Sequence, residues 1–268
     1  MSAFTTVEEY EYNGTVLTTE LDHIKPFVKA GYDSAKYRAW IDSMDDSQVE
    51  LRKYTLICVP IFAGPPIPEK LLFFKGMAEV YDIALDRTKI IANIGVNRGG
   101  STACLVIIEV PEMGNTYVAL TEQMRWMTGG RRIEVVAGMK NEATDDLEGP
   151  IIQELKEEMG IELNLNDPRM RRLGDPFWTS QGLLDEKIDP WVLEMEITEE
   201  KYKIMKASIY GEEHEGENIR IRFFDLETIE PELFDIGDAK LEVLLSRYQR
   251  LLRSRKRFIR NRWSQTPI

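Results

Sequence analysis

Short runs of apolar residues, separated by turn-forming residues, predict that most of this chain is β-strand. Gly, Pro, Asn or Asp residues separate successive runs, as is common between strands. The runs lie at residues 54–62, 71–83, 89–96, 101–110, 116–122, 132–136, 170–174, 191–197 and 219–224. Helical spacing of apolar residues is found instead at 33–44, 149–161 and from 239 to about 257. Many strands with a central and a terminal helix predict an α/β sandwich.

Composition narrows the possible functions without choosing a reaction. The formal charge of −12 argues against a general nucleic-acid binder. With two histidines, and with Cys58 and Cys104 inside apolar runs, neither a zinc site nor a disulfide-stapled fold is expected. The N-terminal residues lack a basic and apolar leader pattern, and no apolar stretch reaches membrane-spanning length. We therefore expect a cytoplasmic protein, although the sequence leaves an organellar location open.

The strongest sign of chemistry lies in the central helix. Ile151, Leu155 and Met159 form its apolar stripe, and Gly160 stands where a left-handed cap would end the helix. On the other side, three carboxylates are spaced i, i+3 and i+4 at Glu154, Glu157 and Glu158. Carboxylates crowded in this way repel one another, and a bound Mg²⁺ or Mn²⁺ would relieve that repulsion. The alternative interpretation is an ordinary solvated acidic face.

The segment Gln153–Ile161 resembles the second half of the Nudix box, G-x5-E-x7-R-E-U-x-E-E-x-G-U, where U is a bulky apolar residue. It departs from the pattern at Gln153, which stands in place of the box Arg. Upstream, Gly138 lies one residue further away than the pattern asks, and Asp145 or Asp146 stands near the usual first Glu. The A-G-M start at residues 137–139 is similar to the lengthened box of plant-type ADP-sugar diphosphatases, in the ADP-sugar and ADP-ribose branch of the family.

This resemblance implies a Nudix α/β/α sandwich with a mixed sheet over 98–268 and a smaller N-terminal extension domain over 1–97. The extension would hold a helix and strands and would contribute to a homodimer. The implied activity is metal-dependent hydrolysis of the pyrophosphate bond of a nucleotide sugar such as ADP-ribose or ADP-glucose. In such a site the Ala137 carbonyl, Glu154 and Glu158 would bind the metal. Glu157 would be a further ligand or would orient the attacking water.

Residues 120–126 end a predicted strand in a polar cluster that is similar to the E-Q-x-R element of the same branch. Arg125 is expected to clamp a diphosphate, because its planar guanidinium can offer paired donors. Arg132 is a weaker candidate for the same role, as is Arg131. Glu134 could join the site through water or could simply pair with an arginine. A surface arginine beside a turn is the alternative for Arg125.

The loop at residues 179–187 resembles a family loop that reads S-P-G-x-x-x-E. Glu186 matches the acidic residue that can serve there as the catalytic base or orient a further metal ion, whereas Gln181 replaces the Pro. The alternative is ordinary solvated loop charge at Asp185 and Glu186. Gln153 has a separate consequence, because a neutral amide can hydrogen-bond the box carboxylates but cannot offset their charge. Reduced activity is therefore one expectation.

A second class of function stays open because of the C-terminal segment. Residues 241–263 join an amphipathic helix to a strongly basic tail in an otherwise acidic chain. Such a tail could bind RNA, anionic lipid or an acidic partner, and a catalytically weakened Nudix scaffold kept for binding would explain both the tail and Gln153. The plainer interpretation is a solvated terminus, because aromatic residues are not interleaved as in base-stacking segments.

Overall fold

The computed structural model describes residues 9–44, 49–61, 65–68, 71–91, 95–140, 148–211 and 217–263, with side chains up to 254. These residues form two compact units. The first contains the residues up to Gly100 and the segment Trp178–Lys187, and the second contains most of the remainder from Ser101 onward. The expected boundary between 97 and 98 lies three residues from this division. The assignment of 178–187 to the first unit was not predicted.

The first unit is a five-stranded sheet with two helices. Its strands run in the order β1(Tyr10–Tyr12), β2(Thr15–Thr18), β3(Val49–Cys58), β4(Lys75–Asp82) and β5(Arg87–Ile91), and its helices are α1(Lys25–Asp33) and α2(Ala35–Asp42). Ser34 caps α2 by accepting a hydrogen bond from the Tyr37 backbone N–H. The predicted helix at 33–44 is thus confirmed as α2. The sequence pattern missed α1 and the first two strands, which are short.

The second unit is built on a mixed eight-stranded sheet. The main strands follow the order β10(Met170–Arg172), β12(Lys187–Glu196), β6(Ser101–Val110), β7(Asn115–Arg125) and β13(Arg220–Asp225). Two shorter strands extend it, β8(Gly130–Glu134) on β7 and β9(Val136–Met139) on β6, and β11(Phe177–Trp178) completes the count. Only the pairing of β12 with β6 is parallel among these main strands. Strand β6, buried at nearly every position, is the centre of the unit.

Helices cover both faces of this sheet. On one face α3(Gly149–Met159) and α4(Glu199–Ala207) bury Ile151, Leu155, Met159, Tyr202 and Met205. On the other, α6(Ala239–Trp263) buries Leu241, Leu244, Leu245 and Tyr248, and the short α5(Leu233–Ile236) precedes it. The predicted α/β/α sandwich with a mixed sheet is therefore confirmed. Helix α6 extends beyond the predicted end near 257, and no helix in the described part of the chain is long and apolar enough to span a membrane.

Candidate functional site

The predicted carboxylate helix is confirmed as α3, and its local sequence explains both ends. Pro150 occupies the first turn, where its missing N–H costs nothing. At the other end Gly160 adopts a left-handed φ of 63°. Its N–H donates to the Lys156 carbonyl at 3.0 Å, and that of Ile161 donates to Leu155 at 3.1 Å. A Cβ on Gly160 would also lie 2.7 Å from the Tyr210 ring, so space and backbone both require glycine.

Glu158 is a buried carboxylate with one partnered oxygen. Its side chain is 5% exposed, and Oε1 accepts a hydrogen bond from Gln123 Nε2 at 3.0 Å. Oε2 is buried and has no hydrogen-bond partner among the described residues. Burial, together with repulsion from Glu154, raises the pKa of Glu158 to about 8. An acid held in this way favours a proton, or a cation in its place.

Glu154 lies directly against strand β9. A Cβ built on Gly138 would come within 1.9 Å of Glu154 Oε1 and 2.4 Å of its Cδ. The absence of a side chain at Gly138 therefore allows this carboxylate to rest on the strand backbone. Ala137 is the neighbouring residue on β9, where it pairs with Ala103 of β6. The glycine thus has a steric role beside the expected carbonyl ligand.

This donor set fits a hard divalent cation such as Mg²⁺ or Mn²⁺. The fit rests on the unpartnered buried oxygen of Glu158 and on the space that Gly138 leaves for Glu154. Within the described ranges, no three His, Cys, Asp or Glu side chains converge as a ready-made cluster. Magnesium is commonly held by one or two carboxylates, with water and substrate phosphate completing its shell, so a pair is sufficient. The ligand roles of Ala137, Glu154, Glu157 and Glu158 stay predictions.

Glu157, the third carboxylate of α3, is half-buried and is hydrogen-bonded within its own helix. Its Oε1 accepts a hydrogen bond from Gln153 Nε2 at 2.8 Å. The residue that departs from the box pattern therefore still contacts a box carboxylate. Gln153 supplies a donor without a charge, in a solvent-exposed position where a charge would add little.

Arg125 is held by a buried acid. Its Nε donates to Glu134 Oε1 at 2.6 Å, and the opposite oxygen of Glu134 accepts from Lys240 Nζ at 3.3 Å. Glu134 is 8% exposed, whereas the Arg125 side chain remains 44% exposed. Glu134 therefore pairs with an arginine, which is one of its two predicted roles, and its participation in the site through water stays a prediction. Arg125 keeps an accessible guanidinium that can meet an anion.

Arg132 and Arg131 are engaged elsewhere. Arg132 donates from Nε to Thr128 Oγ1 at 3.0 Å and from Nη2 to the Thr128 carbonyl at 2.7 Å, which braces the turn between β7 and β8. Arg131 donates to the carbonyl and side chain of Asn218. The substrate-binding role of Arg132 stays a prediction, and the structure gives it a bracing contact instead of one near Glu158.

Glu186 belongs to the first unit, where it and the neighbouring Asp185 both have partners. Arg98 Nη1 lies 3.3 Å from Glu186 Oε1, and the Glu186 side chain is 12% exposed. Asp185 accepts the backbone N–H groups of Arg98 at 2.7 Å and Gly99 at 3.2 Å. Both acids therefore have partners and are at least half-buried, unlike ordinary solvated loop charge. The role of Glu186 as base stays a prediction.

Two residues of the site, Gln123 and Lys240, were not singled out from the sequence. Gln123 stands two positions before Arg125 on β7, so both side chains leave the same face of the strand, and that spacing could have indicated Gln123. Lys240 is separated from Glu134 by 106 positions, and no local pattern announces the contact. Asp145 and Asp146 lie outside the described residues, as do the side chains of the basic tail from 255 onward.

Fold and site together define an α/β/α protein that holds a candidate divalent-metal site between a helix and a glycine-containing strand. No family model matches the chain. It is 26% identical over 203 residues to Nudix hydrolase 14, chloroplastic, of Arabidopsis thaliana, a match covering 71% of this chain. The match spans 63% of the length of that relative. The resemblance to Nudix hydrolases that the box residues predicted is confirmed by this relative.

A solved structure is also similar. It is described as the crystal structure of an ADP compounds hydrolase, with a TM-score of 0.48 and 14% identity. The similarity covers 77% of this chain and 97% of that one.

Proposed function

We propose that this protein hydrolyses the pyrophosphate bond of a nucleoside diphosphate derivative with the help of a divalent metal ion. The observation that carries the proposal is the paired carboxylate arrangement, with Glu154 resting on Gly138 and Glu158 buried with one oxygen unpartnered. A buried acid without a second partner costs free energy, so its retention points to a function. The Arabidopsis relative, by its name a Nudix hydrolase, supports the same class.

Each residue has a defined task in this proposal. Glu154 and Glu158 hold the cation, and Gln123 fixes the Glu158 carboxylate by donating to Oε1. Once bound, the metal would neutralise phosphate oxygens and lower the pKa of a water molecule. Arg125 donates to a phosphate oxygen from its exposed guanidinium. Glu157 orients water or adds a ligand, and Glu186 accepts the proton of the attacking water.

Within this class we propose an ADP-sugar substrate, ADP-ribose or ADP-glucose, and Mg²⁺ or Mn²⁺ as the metal. The substrate rests on the A-G-M start of the box and on the lengthened spacing before Glu154. The metal rests on an all-oxygen donor set, which hard cations prefer. The products would be a nucleoside monophosphate and a sugar phosphate. Homodimer formation, a cytoplasmic location and a partner at the basic tail stay predictions.

The test is product analysis with and without metal. The purified protein would be incubated with ADP-ribose, ADP-glucose, a dinucleotide and capped RNA in Mg²⁺, Mn²⁺ or EDTA, and the products separated by chromatography. We expect AMP and a sugar phosphate in the metal-containing samples only. Failure to cleave any substrate with either metal would overturn the proposal.

A pair of variants connects that activity to the site. Glu154→Gln combined with Glu158→Gln should lower turnover by about 1,000-fold or more, since neutral amides bind Mg²⁺ poorly. The matched control is Glu227→Gln with Glu230→Gln, which also removes two charges, from exposed positions of the same unit. Undiminished turnover in the α3 variant would refute the site assignment.

A further inference from the structure

We propose that Lys240 is a positioning residue that offsets the charge of Glu134 and so leaves the positive charge of Arg125 available to an anionic substrate. This inference rests on the proposed function, because it concerns how the phosphate-binding arginine is prepared. Lys240 lies at the start of α6, a helix whose apolar side packs on the sheet face opposite α3. Its ammonium nevertheless reaches Glu134, the acid that holds Arg125.

The N-terminus of α6 is fixed where this contact needs it. Asp238 precedes the helix, and its Oδ1 accepts the backbone N–H of Lys240 at 3.1 Å as a helix cap. Its Oδ2 accepts the backbone N–H of Val135 at 3.1 Å. Val135 directly follows Glu134, so the cap ties the start of α6 to the strand that carries this acid. The Lys240 side chain therefore begins close to its target.

Glu134 is shared by two cations, one on each oxygen. Arg125 Nε donates to Oε1 at 2.6 Å, and Lys240 Nζ donates to Oε2 at 3.3 Å. Glu134 is 8% exposed, so water does little to screen its charge. An arginine paired alone with a buried carboxylate would form a neutral pair. With Lys240 present, the three groups carry one positive charge more than the pair alone, which offsets part of the negative charge of nearby Glu158 and Asp238.

The positive charge of Arg125 lies where an anion can contact it. The Arg125 side chain is 44% exposed, whereas that of Lys240 is 21% exposed and that of Glu134 is 11% exposed. Arg125 is therefore the member of the trio most open to a ligand. Lys240 compensates Glu134, and Glu134 in turn fixes the Arg125 guanidinium. The consequence is that substrate affinity should depend on a lysine that does not itself touch substrate.

The test uses ADP as the probe, with binding measured by calorimetry in Mg²⁺ and turnover of ADP-ribose measured in parallel. Lys240→Met should weaken ADP binding by about fivefold or more and raise KM to a similar extent, with kcat within about twofold. Lys240→Arg, which keeps the charge, should stay within about twofold of the wild type. The control Lys201→Met removes a lysine from an exposed position on α4 and should also have little effect.

Charge rescue separates electrostatics from simple structural damage. Adding Glu134→Gln to Lys240→Met leaves Arg125 as the single charge of the trio, so ADP affinity should recover by at least about half of what was lost. ADP binding by Lys240→Met equal to the wild type, or a loss that the double variant does not recover, would overturn the inference. If the wild type neither binds ADP nor cleaves ADP-ribose, the proposed function fails instead.

Discussion

The α3–β9 region and the loop at 179–187 are both acidic, yet their carboxylates differ in the partners that surround them. In the loop, Glu186 faces Arg98 and Asp185 accepts two backbone N–H groups, so each acid has partners within its own unit. On α3, Glu158 is buried with one oxygen unpartnered. The residue types are alike, and the difference lies in what surrounds them.

This contrast teaches which acidic cluster needs something from outside the chain. Glu186 has a cation and Asp185 has two N–H donors, and a metal would have to displace those partners. Glu158 has the single donor Gln123, and its buried second oxygen is destabilising until a proton or a metal ion arrives. The unmet requirement at Glu158 therefore locates the candidate metal site better than the number of acidic residues does.

Gly138→Ala is expected to have the largest effect on this contrast. A Cβ there would overlap Glu154 Oε1 at 1.9 Å, and the flexible carboxylate would move off the strand while the fold stays intact. Metal-dependent turnover should fall by about 100-fold. Gly182→Ala is the control, because nothing lies within 4 Å of a Cβ in that loop. Equal activities for the two variants, measured by AMP release, would remove the steric argument.

Gln123→Met comes next in size. Methionine has a similar volume but no N–H donor, so Glu158 Oε1 would lose the hydrogen bond that Gln123 donates. Metal affinity should fall by about tenfold, as is typical when a residue behind a ligand is lost. The same change at Gln181, an exposed residue of the loop, should leave the Mn²⁺ titration curve unchanged. A normal titration for Gln123→Met would contradict the fixing role.

Glu158→Gln should stabilise the metal-free protein above acidic pH. Burial and Glu154 raise the pKa of Glu158 from 4.5 to about 8, so ionisation favours the unfolded chain progressively between those values. Below pH 4.5 both states are protonated and the two proteins should be equally stable. Near pH 8 the variant should be more stable by about 1 kcal/mol or more. Urea unfolding in EDTA across this range measures the gap, and a gap independent of pH would disprove the assignment.

The smallest effect is expected for Gln153→Arg, which restores the box residue. Gln153 already donates to Glu157 one turn further along α3, and the Gln153 side chain is exposed. An added charge should therefore change kcat/KM by no more than about threefold. A gain of about tenfold or more would show that the neutral amide limits the proposed activity.

Strong periodicity made much of the second unit predictable. Strand β6 matches its predicted bounds, and α3 carries the expected stripe and glycine cap. Strands β1 and β2 were missed because they have only three and four residues, whereas the nine-residue α1 was missed although it is no shorter than α2. At the site, the motif indicated Glu154, Glu158 and Arg125, whose types and spacing are local. The contact of Lys240 with Glu134 could not be predicted in the same way, because 106 positions separate the two residues.

The most direct test of the central claim is a calorimetric titration of the protein with Mn²⁺. The wild type should bind the metal, and Glu154→Gln combined with Glu158→Gln should abolish that binding. Glu186→Gln, in the loop whose acids already have partners, should retain it. Metal binding by the α3 double variant that equals the wild type would contradict the account.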